Sequence, residues 1–284
     1  MARQRLGQHF LHDESWREQI ARAIRVSRHA QQRAETSDTP FCWIEIGAGH
    51  GEMTEYLAAS GAAVYAVELD PPLIAELQRL TKRFPNLSIV PADVLETDLA
   101  AIANGRRIHL YGNLPYYITS PILHRCFESA EFIDEIHIVI QLEVALRLTA
   151  EPGSRDYGYL SVLTQYFSKP SIALKIPAEA FRPPPEVGSA LVSLKLPGEK
   201  ARLGLSEDAA FMNFVKKCFA QKRKTLVNNL RGLAEPAKVK GTLAALGLAE
   251  SARAEELPVA QLVTLFRYLG TASEGKRDSS FRSE

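Results

Sequence analysis

The feature that most constrains the fold is a short apolar run that leads into a glycine-rich turn and then into an amphipathic stretch. Residues 41–46 are predicted to be a buried strand, residues 47–51 (Gly-Ala-Gly-His-Gly) a tight turn, and residues 52–60 the helix that follows. From residue 41 onward, strand-like runs alternate with helical stretches, which is typical of a doubly wound parallel sheet. The sequence therefore predicts an α/β fold with a Rossmann-like sheet.

Two acidic residues follow later strands of this pattern. Glu68 lies near the end of a predicted strand, residues 63–69, and about 20 positions after Gly47, a spacing at which a carboxylate reaches ribose hydroxyls. Asp93 follows another predicted strand, residues 87–90. Its carboxylate is placed either to accept from the amine of an adenine or to cap a helix. The pattern indicates a ligand with a nucleoside part.

The spacing of the glycines separates this turn from that of dinucleotide-binding enzymes. The fingerprint G-x-G-x-x-G would place its third glycine at position 52, but this chain has Glu52 there and Gly51 before it. A carboxylate at the start of a helix repels phosphate at that helix terminus. The pattern favours S-adenosylmethionine, which carries a sulfonium and no phosphate.

A second motif, Asn113-Leu114-Pro115-Tyr116, follows a predicted strand at residues 108–111. Proline disfavours a helical conformation at the residue before it, so the Asn113 side-chain oxygen and a backbone carbonyl can accept from one amino group. A stacked Tyr116 would fix the plane of a base. The motif predicts methylation of an adenine at its exocyclic amine. A plain turn followed by a core tyrosine is the alternative.

Composition excludes several classes of protein. No apolar run approaches the roughly 20 residues of a membrane span, and the N-terminal residues do not form a secretory signal. Cys42, Cys126 and Cys218 lack the paired spacing of a disulfide framework or a zinc site. We therefore expect a soluble, cytoplasmic protein with no metal and no membrane partner.

The basic residues are clustered although the net charge is only +1. Arg3 and Arg5 lie near the N-terminus, and the following residues crowd one segment: Lys216, Lys217, Lys222, Arg223, Lys224 and Arg231. Such clusters either contact nucleic-acid phosphates or form a solvated helix face.

The composition changes after residue 198 to a series of helical runs at residues 207–233, 237–246 and 259–269. We predict a catalytic domain at residues 1–198, a small all-α domain at residues 199–270, and a disordered tail at residues 271–284.

Six ordered motifs resemble the ribosomal RNA adenine N6,N6-dimethyltransferases of the KsgA type. They are residues 5–11 (Arg-Leu-Gly-Gln-His-Phe-Leu), 45–49 (Glu-Ile-Gly-Ala-Gly), 67–70 (Val-Glu-Leu-Asp), 113–116 (Asn-Leu-Pro-Tyr), 181–185 (Phe-Arg-Pro-Pro-Pro) and 221–225 (Gln-Lys-Arg-Lys-Thr). The main departure is His9, which stands where the family usually has asparagine. The resemblance implies the class I methyltransferase sheet and S-adenosylmethionine as cofactor, with S-adenosylhomocysteine as product.

The resemblance also implies a set of site residues. Cofactor contacts would be made by His9, Leu11, Gly47, Ala48, Gly49, Glu68, Leu69, Asp93, Val94 and Asn113. The catalytic pocket would comprise Asn113, Leu114, Pro115, Tyr116 and Phe181, with Tyr116 and Phe181 on either side of the target base. A hydrophobic plug under a loop is the alternative for Phe181. RNA contacts would be made by Arg3, Arg5, Lys222, Arg223 and Lys224.

The implied activity is dimethylation of N6 on two adjacent adenines near the 3′ end of small-subunit (16S) rRNA, within an immature 30S subunit, by a monomeric enzyme with a role in 30S biogenesis. Three alternatives stay open: a large-subunit rRNA dimethyltransferase, a DNA adenine methyltransferase, and a non-catalytic nucleic-acid-binding or assembly factor. Leu114 breaks the Asp/Asn-Pro-Pro-Tyr pattern of the DNA enzymes. The presence of Glu68, Asp93 and Asn113 argues against a non-catalytic factor that has lost methyltransferase activity.

Overall fold

The computed structural model describes residues 9–26, 40–115 and 118–270. They form two compact units, the first within residues 1–146 and 168–197 and the second within residues 147–167 and 198–284. The predicted border at residue 198 lies next to the observed one. Residues 147–167 differ from the prediction, because they belong to the same compact unit as the C-terminal helices.

The first unit contains a seven-stranded sheet with the strand order β4-β3-β2-β5-β6-β9-β7. The strands of this unit are β1 Phe10–Leu11, β2 Phe41–Ile46, β3 Ala63–Glu68, β4 Leu87–Pro91, β5 Arg107–Asn113, β6 Ile133–Gln141, β7 Lys169–Ile176, β8 Phe181–Arg182 and β9 Ser189–Lys195. Strands β4, β3, β2, β5 and β6 are parallel, and β9 and β7 are antiparallel additions at the edge. The predicted α/β, Rossmann-like fold is confirmed.

Helices precede, connect and follow the parallel strands. They are α1 Glu14–Ala23, α2 Thr54–Ala59, α3 Pro71–Leu80, α4 Leu99–Ala103, α5 Thr119–Glu128 and α6 Leu142–Leu148, the last of which crosses the border between the units. Local sequence fixes their starts: Asp13 accepts from the backbone N–H groups of Ser15 and Trp16, and Pro71 begins α3. Short 3-10 turns occur at Ala130–Phe132 and Ala178–Ala180.

The register of the central strands brings the sequence motifs to one edge of the sheet. Ile46, the last residue of β2, lies opposite Val67 on β3 and Gly112 on β5. The residues that follow these three positions are Gly47, Glu68 and Asn113, so the glycine-rich turn, the acidic residue and the amide motif meet at the carboxyl ends of adjacent strands. Ligands of open α/β sheets bind at this edge.

The second unit is helical, with α7 Tyr159–Phe167, α8 Glu199–Leu203, α9 Asp208–Cys218, α10 Leu226–Asn229, α11 Pro236–Ala245, a 3-10 turn at Ala254–Glu256 and α12 Val259–Gly270. Aromatic rings fill its core: Phe211 and Phe214 both contact Phe266, with ring centroids 5.6 and 5.5 Å apart. The single helix predicted over residues 207–233 is wrong, because residues 219–225 form a connecting turn between α9 and α10.

The described residues contain neither a helix able to span a membrane nor a metal-holding cluster of side chains. None of the helices in those residues combines the length and the apolar character needed to cross a membrane. Within the same residues, no group of three or more His, Cys, Asp or Glu side chains is placed to hold a metal ion.

Candidate active site

A cavity of about 340 Å³ lies at the carboxyl edge of the sheet. Ten residues predicted for the site line it: His9, Gly47, Gly49, Glu68, Leu69, Asp93, Val94, Asn113, Leu114 and Pro115. The structure therefore brings together the opening motif, the glycine-rich turn, the ends of β3 and β4, and the Asn-Leu-Pro motif, which are far apart in sequence.

The glycine-rich turn needs its glycines for conformation and for space. Gly49 has φ +60°, and a Cβ there would lie 3.1 Å from the Phe10 ring. Gly51 has φ +87°, and a Cβ there would lie 2.6 Å from the Leu80 side chain. Residues with a Cβ rarely adopt positive φ, so the conformation of this turn and its close approach to its neighbours depend on glycine.

Glu68 organises this turn. One carboxylate oxygen accepts from the Gly49 N–H at 2.9 Å, and the other accepts from the N–H groups of Leu69 and Asp70 at 2.8 and 2.9 Å. These three hydrogen bonds were not predicted from the sequence. A carboxylate offers about four acceptor positions, so Glu68 keeps capacity for a ligand hydroxyl.

Asp93 lines the cavity and does not cap a helix. Its side chain accepts from the Leu95 N–H at 2.9 Å, which closes a turn directly after β4. Helix α4 begins only at Leu99, and Asp98 accepts from the Ala101 N–H as its cap. The alternative of a helix cap for Asp93 is therefore wrong.

Asn113 is held by the N-terminal segment. Its amide nitrogen donates to the His9 carbonyl at 2.9 Å, so the amide oxygen is the atom that remains to accept from a ligand. The Leu114 N–H donates to the Val139 carbonyl at 3.0 Å, and the Pro115 carbonyl accepts from the Ile118 N–H at 3.2 Å. Among the described residues, no donor to the Leu114 carbonyl is found. The motif thus presents two acceptors, the Asn113 amide oxygen and the Leu114 carbonyl.

The opening motif and the motif that begins at Phe181 form a two-stranded antiparallel sheet. In this pair of β1 and β8, Phe10 lies opposite Arg182 and Leu11 opposite Phe181. The His9 ring nitrogen Nδ1 lies 2.8 Å from the Pro183 carbonyl oxygen. The pairing fixes the backbone of the residues that contact Asn113.

Three predicted site residues do not line the main cavity. Leu11, Ala48 and Phe181 are 4, 5 and 3% exposed and belong to the hydrophobic cluster of the first unit. The Phe181 ring is thus part of the core in this structure and not a wall of the cavity. Tyr116, Arg3 and Arg5 lie outside the described residues.

Sequence reasoning missed two apolar walls of the cavity. Phe10 lines it and packs its ring against His50, with centroids 4.6 Å apart. Leu95 lines it together with Leu69, and these two side chains are 36 and 55% exposed. The signal for Phe10 was its place in the opening motif, next to a residue already selected. A large apolar side chain left exposed at a cavity indicates that a ligand packs against it.

The cavity fits a nucleoside with a positive charge and no phosphate. Glu68, Asp70 and Asp93 are its charged lining residues, and none of the described lining residues is lysine or arginine. Phosphate groups would be repelled here, whereas ribose hydroxyls, an amine and a sulfonium would be favoured. S-adenosylmethionine has these groups.

The second unit carries the basic cluster formed by Lys222, Arg223 and Lys224. All three side chains are exposed, in the turn between α9 and α10. The Lys222 ammonium donates to the Arg155 carbonyl, which ties this turn to the chain segment before α7. Arg155 is also exposed and was not predicted as part of this surface.

A sequence model of a protein family, described as ribosomal RNA adenine dimethylase, matches residues 1–271. Two relatives named ribosomal RNA small subunit methyltransferase A are similar: that of Acidobacterium capsulatum is 41% identical over 228 residues, 80% of each chain, and that of Koribacter versatilis is 36% identical over 278 residues, 93% of each chain.

Solved structures agree in fold. A dimethyladenosine transferase from Plasmodium falciparum has a TM-score of 0.75 at 22% identity and covers 92% of this chain and 98% of its own. The 23S rRNA methyltransferase ErmE has a TM-score of 0.65 at 27% identity, over 92% and 99%. Because the family model matches nearly the whole length of this chain, the chain belongs to the ribosomal RNA adenine dimethylases.

Proposed function

We propose that the protein dimethylates N6 of two adjacent adenines near the 3′ end of small-subunit rRNA, with S-adenosylmethionine as the methyl donor. The observation that carries the proposal is the Asn113 amide, which is anchored through its nitrogen and presents its oxygen at an acidic cavity. Relatives named for the small subunit, 36 and 41% identical, favour that substrate over the 23S rRNA of ErmE, at 27%.

The cofactor would be held by residues of three strand ends. Glu68 would accept from a ribose hydroxyl and Asp93 from the adenine amine, while Leu69 and Leu95 would pack against the flat base. The glycine-rich turn allows close approach of the backbone. When bound, S-adenosylmethionine supplies an electrophilic methyl group.

Asn113 and Leu114 would activate the target amine. The lone pair of adenine N6 is delocalised into the ring, so the free amine is a poor nucleophile. If the Asn113 amide oxygen and the Leu114 carbonyl accept hydrogen bonds from its two N–H groups, the nitrogen becomes pyramidal and its lone pair is directed at the methyl donor. Positive charge grows on this nitrogen during transfer, so both acceptors stabilise the transition state more than the ground state. Orientation supplies the rest, and no side-chain base is required because the methylated nitrogen releases its proton to water after the S–CH3 bond has broken and the N–CH3 bond has formed.

Tyr116 and Phe181 are proposed to flank the target base. An adenine reaches such a site only when it is unstacked, as in a loop or an unfinished ribosomal region. Phe181 is 3% exposed, so its ring meets the base only after the residues around the β1–β8 pair move aside.

The RNA partner would be rRNA in an immature 30S subunit, with the protein acting as a cytoplasmic monomer. Lys222, Arg223 and Lys224 would neutralise phosphates, and Arg3 and Arg5 would add contacts near the site. The chemistry requires no metal, because the electrophile carries its own charge.

The test is methylation of unmodified 30S subunits by the purified protein and S-adenosylmethionine, read by mass spectrometry of the rRNA. Dimethyladenosine at the adjacent 3′ adenines is expected with the wild type and is expected to be lost in Asn113→Ala. Methylation of free 23S rRNA in a parallel reaction, with none of the 30S subunits, would support the large-subunit alternative. Tight binding of 30S subunits without any methylation would favour a non-catalytic assembly factor.

A further inference from the structure

A second, smaller cavity of about 30 Å³ borders the glycine-rich turn. It shares Gly47, Gly49 and Asn113 with the candidate active site, and it is also lined by Glu45 and Tyr111. A volume of this size holds one water-sized polar group when two or more polar partners surround it. Glu45 and Tyr111 have no role in the mechanism above.

The strand register places these two side chains side by side. Glu45 on β2 lies directly opposite Tyr111 on β5 in the parallel pair. Tyr111 and Asn113 are two positions apart on the same strand, so both side chains point to the same face of the sheet. Any group held between Glu45 and Tyr111 therefore lies on the face that Asn113 also uses.

Among the described residues, none is a hydrogen-bond partner of the Tyr111 hydroxyl. The side chain is 1% exposed, and across the described residues no hydrogen bond reaches its hydroxyl. A buried hydroxyl without a partner is unfavourable, because it has given up its hydrogen bonds to water. A phenylalanine would fill the same core volume without that loss, so the hydroxyl points to a small polar partner in the adjoining cavity.

The Glu45 carboxyl can serve the same partner. It is 2% exposed, and one of its oxygens accepts from the Thr54 hydroxyl at the start of α2. Burial raises the pKa of this carboxyl to about 8, with smaller contributions from the carboxylates of Glu52 and Glu68 and against the hydrogen bond from Thr54, which lowers it. At neutral pH the group is mostly protonated, so it offers an O–H donor as well as an acceptor.

We propose that Glu45 and Tyr111 together hold one water molecule in this cavity, and that this water positions the glycine-rich turn for cofactor binding. The water accepts from one O–H group and donates to the other group, which leaves a second donor for a backbone carbonyl of the turn. Tyr111 acts through the water and the turn, so it is a positioning residue. The inference rests on the proposed use of S-adenosylmethionine.

The experiment compares Tyr111→Phe with Tyr157→Phe in the full chain. Binding of S-adenosylhomocysteine is measured by calorimetry, and Tm is measured without ligand. We expect Tyr111→Phe to lower Tm and to raise the dissociation constant about threefold to tenfold, the effect of one hydrogen bond. The KM for S-adenosylmethionine should rise by a similar factor while kcat stays close to that of the wild type.

Tyr157 is the matched control because it is also fully buried, but its hydroxyl donates to the Leu257 carbonyl at 3.0 Å within the second unit. Its replacement is expected to lower Tm and to leave the affinity for S-adenosylhomocysteine unchanged. A double-mutant cycle of Tyr111→Phe with Glu45→Gln should show non-additive losses of affinity, as expected when two groups share one water.

Unchanged affinity together with an unchanged or raised Tm in Tyr111→Phe would overturn the inference, since the hydroxyl would then have no partner. Strictly additive effects in the cycle would overturn the shared water. A wild-type protein that does not bind S-adenosylhomocysteine would overturn the proposed function instead, so the two failures are distinguishable.

Discussion

At the scale of the residue, Asn113 is both a candidate catalytic group and an anchor for the N-terminal segment, because its amide nitrogen and its amide oxygen have different roles. The nitrogen donates to the His9 carbonyl, which leaves the oxygen for the substrate amine. One atom is bound inside the protein so that the other is fixed in direction. Such preorganisation is what makes an acceptor effective in a transition state.

Asn113→Ala is expected to lower kcat about 100- to 1,000-fold, the usual effect of removing one preorganised hydrogen-bonding group from a transition state. Its affinity for S-adenosylhomocysteine should change much less. Single-turnover methylation of 30S subunits and calorimetry measure the two quantities. An equal loss in both would show that Asn113 acts through binding alone.

Glu45 predicts an unusual dependence of stability on pH. An unfolded glutamate has its usual pKa of 4.5, while burial raises the pKa of folded Glu45 to about 8. The native state then holds one more proton than the unfolded state between these values. This contribution to stability is fully present below about pH 4.5 and is lost as the pH rises towards 8.

The free energy of unfolding of the wild type, minus that of Glu45→Gln, should therefore fall between pH 5 and pH 8, by at most about 1.4 kcal/mol per pH unit. Chemical denaturation at several pH values measures this difference, and groups common to both proteins cancel. A difference that stays flat over the range would mean that Glu45 is ionised in the folded protein.

At the scale of the element, the glycine-rich turn and the β1–β8 pair form one side of the site. Gly49 lies against Phe10 of β1, and its N–H is held by Glu68 at the end of β3. We therefore expect a substitution in the turn to change the affinity for the ligand.

Gly49→Ala tests this. Its positive φ costs about 1–2 kcal/mol in any non-glycine residue, and the new Cβ would also press on the Phe10 ring. Gly153→Ala is the control, because Gly153 has φ +83° but no atom within 4 Å of the added Cβ. Both variants should lose stability in denaturation, Gly49→Ala more than Gly153→Ala, and only Gly49→Ala should lose affinity for S-adenosylhomocysteine. Equal affinities of the two variants for S-adenosylhomocysteine would mean that the glycine-rich turn does not contribute to ligand binding.

Phe181→Leu tests the proposed stacking on the base. A leucine still fills much of the core but removes the ring, whose stacking is worth about 1–3 kcal/mol. We expect kcat/KM for 30S subunits to fall at least tenfold. Phe211→Leu, in the core of the second unit, should lose stability but keep most of its activity. Similar activities in the two variants would assign Phe181 to the core alone.

The sequence predicted the elements around the site better than their contacts. Strand β2 was predicted with its observed bounds, because its apolar run is bounded by glycine. The pairing of β1 with β8 could not be predicted, because two residues give no periodicity and their partner lies about 170 positions away. For Phe181 the sequence left both base stacking and a hydrophobic plug open, because a motif reveals which residue is used but not whether its ring lies in the core.

At the scale of the whole molecule, the basic cluster tests the RNA partner. Changing Lys222, Arg223 and Lys224 to glutamate should weaken binding of 30S subunits and should reduce the slope of log affinity against log salt by about 2–3, as expected for three lost phosphate contacts. Affinity for S-adenosylhomocysteine should not change. Filter binding at several salt concentrations measures the slope.

The matched control changes three other exposed lysines, Lys82, Lys169 and Lys238, to glutamate. It alters the net charge by the same amount, so it accounts for long-range attraction to RNA. The same reduction in slope for both triple variants would mean that total charge matters and that the cluster is not a specific contact surface.

The second unit is built from two separate stretches of the chain. The Gly153 N–H donates to the Glu255 carbonyl at 2.7 Å, and the Tyr166 hydroxyl donates to Asp208 at 2.7 Å, so residues from the middle of the chain are bonded to residues from its end. During synthesis on the ribosome, α7 emerges long before α12. The apolar side chains with which α7 packs in the second unit therefore lack these partners until the end of the chain is made. In the gene, this unit cannot be exchanged between relatives by a single crossover at codon 198, because such a hybrid would pair an inherited α7 with foreign partners.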